Sequence, residues 1–380
     1  MHKIVIFNQS YPNPKSGDVG SAFVHVRAKF YKEQFNVEVI KINASEESYN
    51  YEGINVVCLR SYGECVEYLK KDMPSVILTH FCEPWMNRVA SELNLPIIIW
   101  VHGSEAHSWK RILFNVYWGN IIDFIKFIRI NLISLSNFKK LINESVASDK
   151  IHFVFVSDWM KRITFADTGA STKQYSLVPN PIDTNLFSFK EKHTDLRKKI
   201  LMIRSFNSSK YANDISMKAI LLLSKKTYFN ELEFTIYGRG VHWDKLTSKI
   251  SQFKNVKLVN NLLPQSEIPA IHSQNGIFLC PTRMDAQGVS MCEAMSGGLI
   301  PVTSNNTAIP EFVKNNESGF LTNSAREIAG RIEFLYNNPL QFAKMSKAAS
   351  EKIKATCSMS VVIEKEIELI NNMIEKNKNK

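Results

Sequence analysis

The segment Pro281-Thr282-Arg283-Met284-Asp285-Ala286-Gln287-Gly288-Val289-Ser290-Met291-Cys292-Glu293-Ala294-Met295-Ser296-Gly297-Gly298-Leu299-Ile300-Pro301-Val302 decides how this chain is read. One apolar run, residues 276–280, enters it and another, residues 300–302, leaves it, so the segment predicts strand, loop, helix and strand. The helix is expected to begin near Gly288. Two carboxylates then flank that glycine: Asp285 in the loop and Glu293 on the second helical turn. Between them lie first-turn N–H groups that have no acceptor within a helix and sit at the positive end of its dipole. Carboxylates that accept from hydroxyls, beside a site for an anion, suit a sugar joined to a diphosphate.

Working outward, short apolar runs recur at 3–7, 37–42, 56–59, 76–78, 97–101, 151–156 and 176–178, then at 200–203, 233–237, 256–258, 276–280 and 300–302. Helical-period stretches separate them. Continuous rather than alternating apolar strands indicate parallel sheets covered on both faces. At roughly 150 residues per domain, 380 residues favour two domains. The expected fold class is α/β with two doubly wound, Rossmann-like domains, 1–185 and 186–358, connected by the lysine-rich run 190–199. A closing helix over 359–375, able to pack back on the first domain, and a charged tail complete the chain.

Composition excludes several classes. Hydrophobic residues make up 44% and charged residues 22%, near the globular averages of about 45–50% and about 25%, which removes disorder and collagen-like readings. Apolar stretches such as 96–101 fall far short of the roughly 20 residues of a spanning helix, and the opening run reads as a strand rather than a signal-peptide core. The six cysteines (58, 65, 82, 280, 292, 357) form no Cys-x-x-Cys pair and sit mostly in apolar runs. Buried thiols and a cytoplasmic location are therefore expected.

The net charge of +11 is uneven: 20 basic and 18 acidic residues lie in 1–185, against 27 and 18 in the remainder. Such a balance fits either anionic partners or a lysine-rich, soluble surface. Between 110 and 140, apolar residues mix with Lys110, Arg111, Lys126, Arg129, Lys139 and Lys140. Core helices with a basic edge is one reading, and docking on an anionic membrane surface is the other. Nucleic acid is not expected as a partner, because no stacking-aromatic motif accompanies these charges.

Other candidate residues sit at predicted strand ends. Gly17-Asp18-Val19-Gly20 follows the first strand but is not Gly-x-Gly-x-x-Gly, so a dehydrogenase loses its main support, and a permissive loop for backbone approach to a ligand remains. His102 and Gly103 end the strand 97–101. Arg204 and Lys210 follow the strand 200–203, at the carboxyl end of a parallel sheet where ligands bind, and two cations there suit a diphosphate. No Cys/His cluster and no Asp-x-Asp triplet is present, so no metal ligand set is predicted.

The Asp285 to Glu293 segment resembles the Glu-x7-Glu signature of retaining GT-B glycosyltransferases of family GT4. The rest of the chain is similar in order and spacing. His102-Gly103 resembles the family's His-Gly turn, and Val156-Ser157 its strand end before a helix. Val178-Pro179-Asn180-Pro181-Ile182-Asp183 is similar to Pro-Asn-Gly-Ile/Val-Asp, and Ile203-Arg204 with Lys210 to the Gly-Arg…Lys stretch. Tyr237-Gly238-Arg239-Gly240 resembles its Gly-x-Gly turn, and Glu311 and Gly319 match later positions. Asp285 departs from the usual Glu, Arg204 lacks the preceding glycine, and Pro181 replaces a glycine.

The resemblance implies two domains facing across a cleft, the first for the acceptor and the second for a nucleotide-sugar donor. Gly17, Gly20, Arg204, Lys210, Gly238, Gly288, Val289 and Glu293 would bind the donor, with Glu293 accepting both ribose hydroxyls. His102 and Asp285 would be the catalytic positions. It further implies metal-independent transfer with retention to a glycan or lipid-linked hydroxyl, in surface polysaccharide or glycolipid synthesis. No cofactor is required, since the nucleotide sugar is a substrate. A nucleotide-sugar epimerase or hydrolase of the same fold, or a non-catalytic nucleotide-sugar-binding or membrane-associated protein, are the alternatives.

Overall fold

The computed structural model describes residues 1–13, 20–43, 45–103, 105–116 and 121–378. The chain divides into two compact units. One comprises Met1–Trp109, Ile122–Val178 and Val362–Lys380, and the other Lys110–Ile121 and Pro179–Val361. Both are α/β.

The first unit is built on β1 (Lys3–Phe7), β2 (Asn36–Ile42), β3 (Tyr49–Tyr51), β4 (Ile54–Leu59), β5 (Val76–His80), β6 (Ile97–Val101), β7 (Ile151–Phe155) and β8 (Tyr175–Leu177). Their spatial order is β3-β4-β2-β1-β5-β6-β7-β8. All pairings are parallel except β3 with β4. Every residue of β5 and β6 is buried, as continuous apolar strands require. The β3–β4 hairpin was not anticipated: three residues are too few to show a period. Its turn is made by Glu52 and Gly53, both at positive φ (47° and 81°), the geometry that matches strand twist.

The second unit carries β9 (Lys199–Ile203), β10 (Glu233–Tyr237), β11 (Val256–Val259), β12 (Ile277–Leu279), β13 (Ile300–Ser304) and β14 (Phe320–Thr322), all parallel, in the order β11-β10-β9-β12-β13-β14. The edge strand β14 is again only three residues long and was missed for the same reason. Among the parallel strands of each sheet the chain order reverses at one place, between β1 and β5 and between β9 and β12. Crevices at the carboxyl ends of strands flanking such a reversal are where ligands bind in these folds.

The observed divisions fall at 178/179 and 361/362, not at 185 and 358. The run 190–199 is not a solvated connection: it lies inside the second unit, folds into a 3-10 turn over Thr194–Lys198 and enters β9. Lys192 is buried there, its Nζ donating to the carbonyl of His272 at 2.5 Å.

The closing helix, Met359–Lys378, belongs to the first unit from Val362 onward. Its Glu366 is wholly buried and accepts from Arg27 Nε (3.0 Å), Tyr31 Oη (2.6 Å) and Trp100 Nε1 (3.2 Å). A buried ion pair is tolerated when its remaining hydrogen-bonding capacity is met in this way.

The stretch 110–140 is not mainly core. Residues Trp109–Asn115 form a 3-10 helix and Ile121–Ala147 a single helix of 27 residues. Leu135, Phe138, Leu141 and Ile142 of that helix are buried, while Ile122, Ile125, Ile130 and Ile133 are 55–68% exposed. Among the described residues no helix is long and apolar enough to cross a membrane.

Candidate functional site

In the second unit the loops after β9 and β12 are tied to each other by named bonds. Arg204, one residue past β9, is 6% exposed, and its guanidinium donates to Ser290 Oγ (2.9 Å) and to the carbonyl of Cys280 (3.3 Å). It thus links the end of β9 to the end of β12 and to the first turn of helix Val289–Ser296. Its Cζ lies 5.3 Å from the Tyr211 ring centroid, and Lys210 Nζ lies 5.6 Å from the same ring, so two cations flank one aromatic ring. Arg204 Nε is buried without a protein acceptor, an uncommon state for a charged donor.

The Lys210 loop is clamped to the quoted segment. The carbonyl of Lys210 accepts from Arg283 N (2.7 Å) and Thr282 Oγ1 (3.0 Å), while the Arg283 side chain reaches Ser209 O and Asp214. Gly238 sits beside β9 for lack of space: a Cβ there would stand 2.3 Å from Arg204 O and 2.6 Å from the Phe206 ring. Its role in the structure is close packing against the Arg204 loop.

Asp285 departs from expectation in an instructive way. Its Oδ1 accepts from the N–H groups of Gln287 (3.2 Å) and Gly288 (2.7 Å), closing the turn that starts the helix. The N–H of Gly288 is therefore taken by Asp285 and is not an open anion donor, which corrects the picture of free N–H groups running from 285 to 293. The shorter side chain is the physical reason, since it reaches its own loop. Gly288 has φ of 78°, a left-handed conformation that glycine adopts without strain, and the helix begins at Val289 as predicted. The first-turn N–H groups from Val289 onward are those a helix leaves without internal acceptors.

Glu293 stands on that helix. Burial pushes its carboxyl up to about 7, against the opposing hydrogen bond from Gln265. Gln287, which sequence reasoning passed over, is 1% exposed and grips the backbone of Asn180 in both directions, at 2.6 and 2.9 Å. The bond joins two motifs 107 residues apart, so no local signal could reveal it.

In the first unit, His102 follows β6 and its Nε2 lies 2.9 Å from Nδ1 of His80, the last residue of β5. The two rings stack, with centroids 5.2 Å apart, and Phe23 and Phe81 close on His102 at 5.1 and 4.8 Å. Burial, with the charge of Arg27, drives His102 down to about 3 and His80 well below the usual imidazole value, so both are neutral at pH 7. The backbone N–H of His102 donates to Glu105 Oε1 at 2.5 Å, and burial pushes the Glu105 carboxyl above the ordinary range. Gly20, at φ of 33°, lies where a Cβ would stand 2.1 Å from Ser10 O. Gly17 lies outside the described residues.

Among the described residues, no group of three or more His, Cys, Asp or Glu side chains is placed to hold a metal ion. All six cysteines are free thiols, four of them buried and Cys58 and Cys82 partly so.

Two parallel-sheet units of this design form the GT-B class of fold, and comparison with solved structures agrees. A glycosyltransferase from Rickettsia africae superposes with a TM-score of 0.72 at 16% identity, covering 98% of both chains. Sucrose-phosphate synthase from Thermosynechococcus elongatus gives 0.73 at 13% identity over 99% of this chain and all of that one. Anabaena HepE, solved with UDP and glucose, gives 0.68 at 14% identity over 98% and 100%.

Residues 183–354, which lie within the second unit, match the family described as Glycosyl transferases group 1. Two bacterial relatives agree. The colanic acid biosynthesis glycosyltransferase WcaL of Escherichia coli is 29% identical over 140 residues, 34% of each chain, and the amylovoran biosynthesis glycosyltransferase AmsK of Erwinia amylovora 28% over 152 residues, 37% of each. The matched stretch spans about a third of the length of these relatives.

Proposed function

We propose that this protein transfers a sugar from a nucleoside diphosphate donor to a hydroxyl acceptor, with retention, in the synthesis of a bacterial surface polysaccharide or glycolipid. One observation carries the reading. Arg204 and Lys210 stand at the carboxyl ends of β9 and β12 beside the start of helix Val289–Ser296, the helix that carries Glu293, in a domain that matches the family. The polysaccharide assignment rests on WcaL and AmsK, whose names place them in colanic acid and amylovoran synthesis.

In the proposed reaction Arg204 and Lys210 neutralise the diphosphate as it leaves, and first-turn N–H groups from Val289 onward receive its oxygens. Glu293 accepts from the ribose hydroxyls. Asp285 acts by fixing the loop that presents the transferred sugar, and a neutral His102 accepts from the attacking hydroxyl. The departing diphosphate takes that hydroxyl's proton on the same face, so no side-chain nucleophile is needed. Because the cations are supplied by side chains, turnover persists in excess chelator.

The reading also places the first unit on an anionic membrane surface through Ile122, Ile125, Lys126 and Arg129 of helix Ile121–Ala147, all exposed. At about 1 kcal/mol per basic residue, replacing Lys126 and Arg129 by Gln lowers binding to phosphatidylserine vesicles by more than a decade. Equal sedimentation with neutral vesicles removes the membrane from the reading.

The central experiment incubates the protein with UDP-glucose, because HepE has been solved with UDP-glucose, and then with other nucleotide sugars, each with and without acceptor glycans. Acceptor-dependent release of nucleotide is expected. Release that ignores the acceptor would point to a hydrolase, and normal donor binding without release under any condition would replace the enzyme by a binding protein.

A further inference from the structure

The first unit contains a cavity of about 860 Å3 between helix Pro84–Glu92 and helix Ile121–Ala147, within the roughly 300–1,000 Å3 range of small-molecule sites. Its lining mixes polar and apolar side chains. Helix Pro84–Glu92 and the residue before it present Glu83, Asn87, Ser91 and Glu92. The long helix supplies most of the apolar lining, Phe127, Ile130, Ile133, Phe138 and Leu141, of which Ile130 and Ile133 are 65% and 64% exposed, interspersed with polar side chains such as Asn137 and Glu144.

Where the cavity reaches the ends of β5 and β6 it is lined by Phe81 and Glu105, the residues that pack against His102 and accept its N–H. Phe81 holds a left-handed backbone, φ of 58°, with its phenyl 43% exposed. A bulky residue in that conformation is strained, and such strain gathers at ligand sites. Glu105 Oε2 is buried with no partner, which marks a missing hydrogen bond.

The charge of the lining argues against a phosphate-bearing occupant. Glu83, Glu92, Glu105 and Glu144 outnumber Arg88 and Lys140. Arg88 already lies over the Tyr62 ring at 4.5 Å, and Lys140 pairs with Glu144 at 3.8 Å. Carboxyl and amide groups set among apolar side chains suit a ligand that carries both sugar hydroxyls and hydrocarbon.

We infer that this cavity binds an amphiphilic acceptor, a neutral saccharide carrying a hydrocarbon chain, with the chain along the Phe127, Ile130 and Ile133 wall and the sugar hydroxyls toward Glu105 and His102. The inference rests on the proposed transferase reading and names the class of its acceptor. The exposed apolar residues of the long helix then have a role as a continuous path for the chain from the protein surface inward.

Calorimetry on the full chain with methyl, hexyl and octyl β-D-glucoside below their micellar concentrations tests it without turnover. Each added methylene should tighten binding about fourfold, so octyl exceeds hexyl by about 15-fold. Ile133→Glu, at an exposed wall position, weakens octyl glucoside at least tenfold. Val146→Glu, on the same helix, 67% exposed and outside the lining, leaves it unchanged, and both variants keep the circular dichroism spectrum and urea unfolding midpoint of the unaltered protein as evidence of folding.

Equal affinity for the three glucosides, retention of octyl binding by Ile133→Glu, or equal loss in Val146→Glu each overturns the inference. Efficient transfer to free glycans with no gain for their alkyl forms also overturns it while leaving the transferase reading intact. Chain-length-dependent binding in a protein that never consumes a nucleotide sugar overturns the transferase reading, and with it the role of the bound amphiphile as acceptor.

Discussion

The second unit gathers charge at its strand ends, whereas the first unit removes it. Arg204 and Lys210 flank Tyr211 in the second unit beside a helix N-terminus. In the first unit His80 and His102 are held neutral and Glu105 resists ionisation, all through burial. Two sheets with the same kind of order reversal have thus been given opposite electrostatic characters. A charged ligand is attracted by the first arrangement, and an uncharged hydroxyl compound loses little on entering the second. The lesson is that the fold supplies the location of a site and the loop residues supply its preference.

The contrast can be broken most severely at Glu366. Its carboxylate is the partner of the buried Arg27, whose charge also repels protons from His80 and His102. Removing one member of a buried pair costs about 3–5 kcal/mol. Glu366→Ala should lower the stability of the first unit by that amount in urea titration, and a loss below 1 kcal/mol would show that the pair is not desolvated.

Arg204→Ala tests the charged side of the comparison. Loss of a charge-assisted hydrogen bond costs roughly 1.5–3 kcal/mol, so affinity for UDP should fall by one to two decades in calorimetry. Unchanged affinity would remove Arg204 from the donor site and leave it as a brace between β9 and β12.

Glu293 sharpens the comparison, because it is a carboxyl of the charged unit that burial keeps partly protonated near pH 7. Ribose hydroxyls donate to the ionised form, so UDP affinity should climb by up to about tenfold from pH 6 to pH 8 and stay level in Glu293→Gln. Stability moves the other way. Between the ordinary value of 4.5 and about 7 the folded chain keeps a proton that the unfolded chain has released, so raising the pH through that window favours unfolding. A flat binding profile in the unaltered protein would take Glu293 out of contact with the ribose.

Asp285 gives the smallest expected effect on stability. Asp285→Ala removes the acceptor of two loop N–H groups and should cost about 1 kcal/mol, as for a lost cap. Asp285→Asn keeps an oxygen in place and should unfold within a few tenths of a kcal/mol of the unaltered protein. Should the Asn form retain turnover while the Ala form loses it, Asp285 works by holding its loop, and loss in both would mean its charge touches the sugar.

Much of this architecture was legible because parallel strands buried on both faces leave continuous apolar runs, as in β5 and β6. The short edge strands β3 and β14 left no period to read. Candidate residues were found where a loop follows a strand, as with Arg204, His102 and the Asp285 loop. Their partners were not, because Ser290 is 86 residues from Arg204 and Asn180 is 107 from Gln287. Glu105 is only three residues from His102 but draws its character from burial, which spacing does not report. Glu366 looks like a solvent-facing carboxylate within an amphipathic helix, and only the guanidinium 339 positions away explains why it is buried.

That separation bears on the order in which the molecule can be assembled. The first unit is made of segments on either side of Pro179–Val361, so nearly the whole second unit is synthesised between them. Arg27, Tyr31 and Trp100 emerge from the ribosome at least 266 residues before their shared acceptor Glu366. Until then the nascent first unit lacks the Glu366 carboxylate that accepts from Arg27, Tyr31 and Trp100, so it cannot reach its final stability before that later segment arrives. The second unit, nearly continuous in sequence, is free of that wait, and closure of the long Arg27 to Glu366 loop becomes the late step that completes the fold.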